Sequence, residues 1–388
     1  MQVDFLQRLR KFAVPEIIFG AGALELAGRQ CRNLGATKVL IVTGPMLQKS
    51  GWTRRVENSL LQEGLSYAVF EGLTMNPKDY EVMSGARFCQ EQGCDLILAV
   101  GGGSPMDCAK GISVVMGNHR NVLEFEGVDE IPRPGLPLIC VPTTAGSSAD
   151  VSQFAIVNDS NRKVKISIVS KMVIPELTLV DPEITRTMPK ELTANTGMDA
   201  LSHAFEAYVS TLSSELTDMA ARETVRLVAG NLLEACEKPQ NMEYRSNMML
   251  ASLMAGLAFS NASLGLVHAL AHSLGGRLDL PHGQCNALLL EGVVRFNLSV
   301  AGFRYAELAR IMGLARQEAQ QQEAEEDLLQ GLASLRVRLG INQTLKKLGV
   351  CAEDISGLAQ NALQDACMAT NPRQASQEEV EQILWEIY

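Results

Sequence analysis

Four of the five histidines in this 388-residue chain fall in two segments, GMDALSHAFEAY (197–208) and GLVHALAHSLGGRLDLPHG (265–283). They are His203, His268, His272 and His282. Asp199 precedes His203 by one helical turn, and His268 precedes His272 by the same spacing. Residues so spaced share a helix face, so each pair can aim two ligands at one point. His282 follows Pro281 and precedes Gly283, which reads as a turn residue that closes the cage. Aspartate and histidine together suit a borderline divalent ion such as Fe²⁺ or Zn²⁺. A lone Asp-x-x-x-His is ordinarily a surface pair; the whole constellation carries the reading. Leu266, Val267, Leu270 and Leu274 surround these imidazoles, and buried polar groups need partners.

A second chemistry sits far upstream. In GGGSPMDCAK (101–110), three glycines let the backbone approach a ligand closely. Ser104 reads as a helix N-cap, Pro105 as the first helical residue, and Asp107 as a capping-box acid. A helix N-terminus of this kind is an anion site, and a pyrophosphate is the expected anion. The run is not the G-x-G-x-x-G fingerprint. Next, VPTTAGSSADVSQFAIV (141–157) places the hydroxyls of Thr143, Thr144, Ser147 and Ser148 around Gly146, where they could donate to a phosphate or hold a nicotinamide.

These groups have to be positioned by two different kinds of structure. The runs at 38–43, 65–70, 96–100 and 137–141 read as buried strands, and 51–63 and 79–92 as helices between them. Such alternation implies a parallel, Rossmann-like α/β sheet whose ligands lie beyond the carboxyl ends of the strands. The segments 154–157 and 163–169 flank Asn158-Asp159-Ser160-Asn161 and read as a hairpin that carries Lys165. After Val180-Asp181-Pro182, β-branched runs stop, and 193–210, 214–237, 242–261, 263–276 and 284–297 show helical periodicity. The expected division is an α/β domain over 1–182 and an all-helical domain over 183–388. The polar stretch 317–327 reads as a solvated helix face or loop. An anion site on one wall of a cleft and a Lewis acid on the other point to metal-assisted hydride transfer.

Composition narrows the partners. Hydrophobic residues make up 46% and charged residues 20%, as in a soluble globular protein. The net charge of −10 and the lack of a Lys/Arg cluster argue against nucleic acid and anionic membrane. No apolar run is long enough for a transmembrane helix, and the start, MQVDFLQRLRKF, lacks a signal-peptide core. Nine irregularly spaced cysteines without a C-x-x-C suggest a reducing cytoplasm and no disulfide framework.

Taken together, GGGSPMDCAK, PTTAGSSAD, GMDALSHAFEAY, AFSNASLGLVHALAHSLGG, PHG and TNPR (370–373) resemble the iron-containing (group III) alcohol dehydrogenase family over essentially the whole length. The resemblance implies a dehydroquinate-synthase-like fold, with a nucleotide domain followed by a helical metal domain. It implies Asp199, His203, His268 and His282 as ligands of Fe²⁺, with Zn²⁺ or another divalent ion possible by ligand type. His272 would stand beside them, either supporting the ligands or relaying a proton. NAD or NADP would contact Gly44, Asn76, Gly102, Gly103, Ser104, Asp107, Thr143, Thr144, Ser147 and Lys165. Phe154, Ile156, Phe259 and Cys367 would line the substrate pocket. Family members that prefer NAD often carry an aspartate where this chain has Gly44. A carboxylate there would bind the ribose 2′-OH and repel a 2′-phosphate, so its absence makes NADP acceptable. Ser147 replaces a common threonine, and Asp150 a common acid. The implied reaction is oxidation of a small primary alcohol, or the reverse aldehyde reduction, by a homodimer or larger homo-oligomer. Other readings are a glycerol- or propanediol-type polyol dehydrogenase, a maleylacetate-reductase-like enzyme, or a non-catalytic metal or nucleotide sensor.

Overall fold

The computed structural model describes residues 11–388. The first ten residues, which hold most of the stretch read above for a signal peptide, lie outside the described residues. Six strands form one parallel sheet: β1 (Glu16–Phe19), β2 (Lys38–Thr43), β3 (Ser66–Phe70), β4 (Leu96–Gly101), β6 (Leu138–Pro142) and β9 (Leu177–Val180), in the order β1-β9-β6-β4-β2-β3. A smaller sheet holds β5 (Gly127–Val128) beside the antiparallel hairpin of β7 (Phe154–Asp159) and β8 (Val164–Val169).

The four strands expected for the main sheet are present, as is the hairpin. Two more, β1 and β9, were not anticipated. Each has only four residues, too few to establish a periodicity, and β9 abuts the composition change. The chain leaves β2 toward β3 but leaves β4 toward β6, on the other side. The crevice beyond the ends of β2 and β4 is therefore the topological switch point, where ligands of open α/β sheets bind. Gly44 and the glycine run both lie at this edge, because Thr43 pairs with Val100.

From Lys190 onward the described residues form helices and connecting segments, with no strand. The helices that matter here are Lys190–Val209, Met242–Ala262, Leu266–Leu278 and His282–Ile311. Ser263, with φ of 63°, ends the second of these, and the chain turns by 100° into the third. The bend aims the histidine-bearing Leu266–Leu278 helix back at Lys190–Val209. The fourth begins earlier and runs longer than its periodicity suggested, with a kink at Ala301. The polar stretch after 317 leads into a helix, Gln321–Arg338, with buried Ala324 on its inner face. No single helix among the described residues is long and apolar enough to cross a membrane.

Buried contacts join the two halves. Ser148 donates to the carbonyl of Ser252 at 2.5 Å, and the amide N–H of Gln153 donates to Ser260 Oγ at 3.0 Å. The Leu266–Leu278 helix lies directly on β8. A Cβ added at Gly276 would come within 2.9 Å of the Lys165 backbone nitrogen, so only glycine permits this approach.

Candidate metal and nucleotide site

Three helices converge on one buried point. Asp199 Oδ1 lies 3.8 Å from His268 Nε2, 3.8 Å from His282 Nε2 and 3.9 Å from His203 Nε2. Donor atoms of Asp199, His268 and His282 all fall within 4.8 Å of one another. Ligands about 2.1 Å from a tetrahedral ion stand roughly 3.4 Å apart, so the Asp199–imidazole distances are within a few tenths of an ångström of that spacing. His203 reaches the group through Asp199, and its ring is stacked between Phe259 at 4.2 Å and His268 at 4.5 Å. His282 is not a turn residue. It is the first residue of the His282–Ile311 helix, because Pro281 takes the N-cap position and the helix starts at once.

The electrostatics suit a cation. Burial alone would raise the Asp199 carboxyl, but the three imidazoles hold it well below the usual carboxylate range. Burial drives His203 down to about 3 and His282 well below its ordinary value. Both are therefore neutral imidazoles, as metal ligation requires. Burial would also lower His268, but Glu206 and Asp199 outweigh it and raise it to about 9, so its ring holds a proton at neutral pH that a bound ion has to displace. Glu206 Oε2 meets His268 Nδ1 at 2.5 Å, while Oε1 accepts from the Val267 N–H at 2.6 Å. A carboxylate on Nδ1 leaves Nε2 for an ion, the usual orienting arrangement for a metal-bound histidine. The residues present thus fit a divalent metal.

His272 is engaged elsewhere. Its Nδ1 meets Asp365 Oδ2 at 2.8 Å, and Cys367 lies in the same cluster. Its ring stacks on His282 with centroids 5.4 Å apart. His272 therefore borders the donor set with one nitrogen already occupied by a carboxylate. The TNPR motif supports the histidine helix from below. Thr370 donates to the Leu264 carbonyl at 2.6 Å, and Asn371 Oδ1 accepts from the Leu266 N–H at 3.2 Å.

A cleft of about 320 Å³ connects this point to the glycine run. Its walls include Asn76, Gly102, Gly103, Ser104, Asp107, Thr144, Ser147 and Lys165 from the α/β half, and Asp199, His203, His268, His272 and His282 from the helical half. Phe154, Ile156, Phe259 and Cys367 line it between the two. Two expected cofactor residues are not on its walls. Thr143 is buried, with its N–H donated to the Gly101 carbonyl at 2.9 Å, and Gly44 lies at the end of β2.

Ser104 is not the N-cap. The helix Gly103–Asn118 begins two residues earlier, with Gly102 at the cap, which leaves Asp107 beyond the first turn. Gly102 packs closely on Thr144, where an added Cβ would lie 3.1 Å from Thr144 Oγ1. Ser104 Oγ instead accepts the Asn76 N–H at 3.2 Å. Asn76 has φ of 56° and is held by two further bonds. Lys165 Nζ donates to its Oδ1 at 2.9 Å, and its Nδ2 donates to Asp279 Oδ1 at 2.6 Å. Asp279 also accepts from Lys78 at 3.2 Å. Burial pushes Lys165 below the usual lysine range, although Asp107 and Asp279 oppose it.

Asp107 is the pH-sensitive part of this wall. Burial raises its carboxyl to about 7, against the pull of Lys110, the Ile156 backbone N–H and Lys165. A carboxyl raised on folding adds stability at low pH, and that contribution is lost as pH rises through about 7. Asp107→Asn should therefore gain stability over the parent between pH 5 and pH 8, by on the order of 2–3 kcal/mol. Urea unfolding of both proteins at the two pH values measures this. A parent that gains on the variant with rising pH would contradict it.

Glu206, Asn286, Asp365 and Asp279 were not singled out from sequence. Glu206 follows Asp199 by two helical turns, and Asn286 follows His282 by one turn, so helical spacing could have found both. Asp365 and Asp279 carry no local signal.

Comparison with known proteins adds the following. A family model described as "Iron-containing alcohol dehydrogenase" matches residues 15–182, and one described as "Fe-containing alcohol dehydrogenase family, C-terminal" matches 193–388. The 1,3-propanediol dehydrogenase of Citrobacter freundii is 38% identical over 97% of this chain and 98% of its own length. The NAD-dependent methanol dehydrogenase of Bacillus methanolicus is 35% identical over 96% of this chain and 98% of its own. A crystal structure of 1,3-propanediol oxidoreductase superposes with a TM-score of 0.95 at 38% identity, covering 98% of this chain and 100% of that one.

Proposed function

The chain belongs to the iron-containing alcohol dehydrogenase family, and from that premise we propose that it interconverts small primary alcohols and aldehydes by hydride exchange with NAD or NADP. The observation that carries this reading is one cleft with a glycine-run helix start on one wall and Asp199, His268 and His282 converging on the other. The proposed division assigns 1–182, described from residue 11, to the nucleotide half and 183–388 to the helical metal half.

Asp199, His203, His268 and His282 would hold the divalent ion, which supplies Lewis acidity toward a substrate oxygen. Iron is the family's metal, and the donor types also admit Zn²⁺. The backbone of Gly102 and Gly103 and the hydroxyls of Thr144 and Ser147 would bind the dinucleotide. Lys165, held by Asn76, faces the same space. Phe154 and Phe259, with ring centroids 5.9 Å apart, exclude water from the substrate end. His272 would move the proton: Asp365 holds its Nδ1, which leaves Nε2 to exchange with the substrate hydroxyl directly or through the ribose or water. The apolar lining favours a short aliphatic chain. Similarity to 1,3-propanediol dehydrogenase supports a second reading, a diol of the same size.

Short primary alcohols, 1,3-propanediol and glycerol should be assayed with NAD and NADP in parallel, on protein reconstituted with Fe²⁺ or Zn²⁺. Turnover highest on a short monoalcohol or its aldehyde is expected. A marked preference for polyols selects the second reading, and no turnover with metal loaded overturns both in favour of a sensor. The homodimer or larger homo-oligomer implied by the family is part of this proposal, tested by sedimentation. So is a cytoplasmic setting, which nine free cysteines, eight of them buried, favour.

A further inference from the structure

Asn286 lies against the donor set, and nothing in the reaction as derived uses it. Its side chain is completely buried, in a helix turn otherwise made of Cys285, Ala287, Leu288 and Leu289. A leucine would fill much the same volume without the cost of burying a carboxamide. The amide nitrogen points at three metal-site atoms together: Asp199 Oδ1 at 2.6 Å, His268 Nε2 at 3.1 Å and His282 Nε2 at 3.3 Å. Its own Oδ1 has no partner. An NH₂ group carries two hydrogens, so it cannot satisfy three acceptors at once. The shortest contact goes to the carboxylate.

Building on the metal reading above, we propose that Asn286 is a positioning residue of the metal centre. Its N–H pins Asp199 Oδ1 and so fixes the carboxylate before an ion arrives, while its contacts to the two imidazole nitrogens involve lone pairs that an ion would take and give way to it. The helical spacing from His282 makes this automatic, since both side chains leave the same face one turn apart. Orienting partners of this kind typically govern metal affinity by 10- to 100-fold.

The test is Co²⁺ and Zn²⁺ titration of the metal-stripped full chain, with the Co²⁺ visible spectrum as a readout of ligand geometry. Asn286→Ala should weaken binding of both ions by about 10- to 100-fold and shift the Co²⁺ bands. Asn286→Asp keeps the shape but replaces the donor with a group that Asp199 repels, so its Co²⁺ spectrum should change as well. It also guards against a variant that simply fails to fold. Gln284→Ala is the control: Gln284 lies on the same helix but bonds Gln343, so affinity and spectrum should match the parent. Parent-like affinity and spectrum in Asn286→Ala, or a parent-like spectrum in Asn286→Asp, would overturn the inference. A parent chain that takes up neither ion would overturn the metal reading and this inference with it.

Discussion

His268→Ala is expected to lose bound metal and turnover together, with kcat/KM at least about 1000-fold lower, or roughly 4 kcal/mol of transition-state stabilisation. His268 is the donor most firmly oriented by its surroundings, through the 2.5 Å contact of Glu206 with Nδ1. The truncation removes an ion ligand and strands the buried Glu206 carboxylate, which keeps only its bond from Val267. Thermal stability should therefore fall too, and circular dichroism must show that the variant is folded before activity is read. The informative comparison is His272→Ala. His272 is bonded to Asp365 beside the donor set, so that variant should keep its metal while losing proton transfer and most of its rate. Elemental analysis of both proteins, paired with steady-state kinetics, separates the two roles. Full metal content in His268→Ala would refute the assigned ligand set.

The second large effect concerns the dinucleotide. Gly44→Asp should lower the ratio of NADP to NAD efficiency by about 10- to 100-fold, mainly by loss of the NADP reaction. The substitution is conformationally easy. Gly44 has φ of −93° and ψ of 154°, an extended conformation open to any residue, and an added Cβ meets nothing within 4 Å. It sits where β2 ends beside β4, at the switch point. A carboxylate there can accept from the ribose 2′-OH and repels a 2′-phosphate. Parallel kcat/KM measurements with both cofactors decide the matter, and an unchanged ratio would place the adenosine ribose away from Gly44.

Much of this architecture was legible because the signals are local. KVLIVT and LILAV are continuous apolar runs ended by glycine, and such runs have few structural options other than a buried parallel strand. The Asp199/His203 and His268/His272 pairs stand out because helical spacing converts sequence distance into a shared face. What stayed hidden depends on packing between distant segments. Ser104 looks like a cap in isolation, but its hydroxyl accepts the N–H of Asn76, twenty-eight residues back. Asp365 meets His272 only because the last third of the chain folds back over the histidine helix. Strands β1 and β9 are recognisable only through each other, since each is too short to show a pattern by itself.

The close seating of the Leu266–Leu278 helix on β8 has a consequence for the span of the cleft. Gly276 rests on the backbone of Val164 and Lys165, and Ser148 and Gln153 are tied to Ser252 and Ser260. The histidines and the nucleotide wall are thereby set at a fixed span by core packing, which resists deformation as a molecular crystal does. Under the proposed function, the span that a hydride would cross is set in part by this packing when the chain folds. That span rests in part on a hydrogen-sized side chain at Gly276, where an added Cβ would come within 2.9 Å of the Lys165 backbone nitrogen.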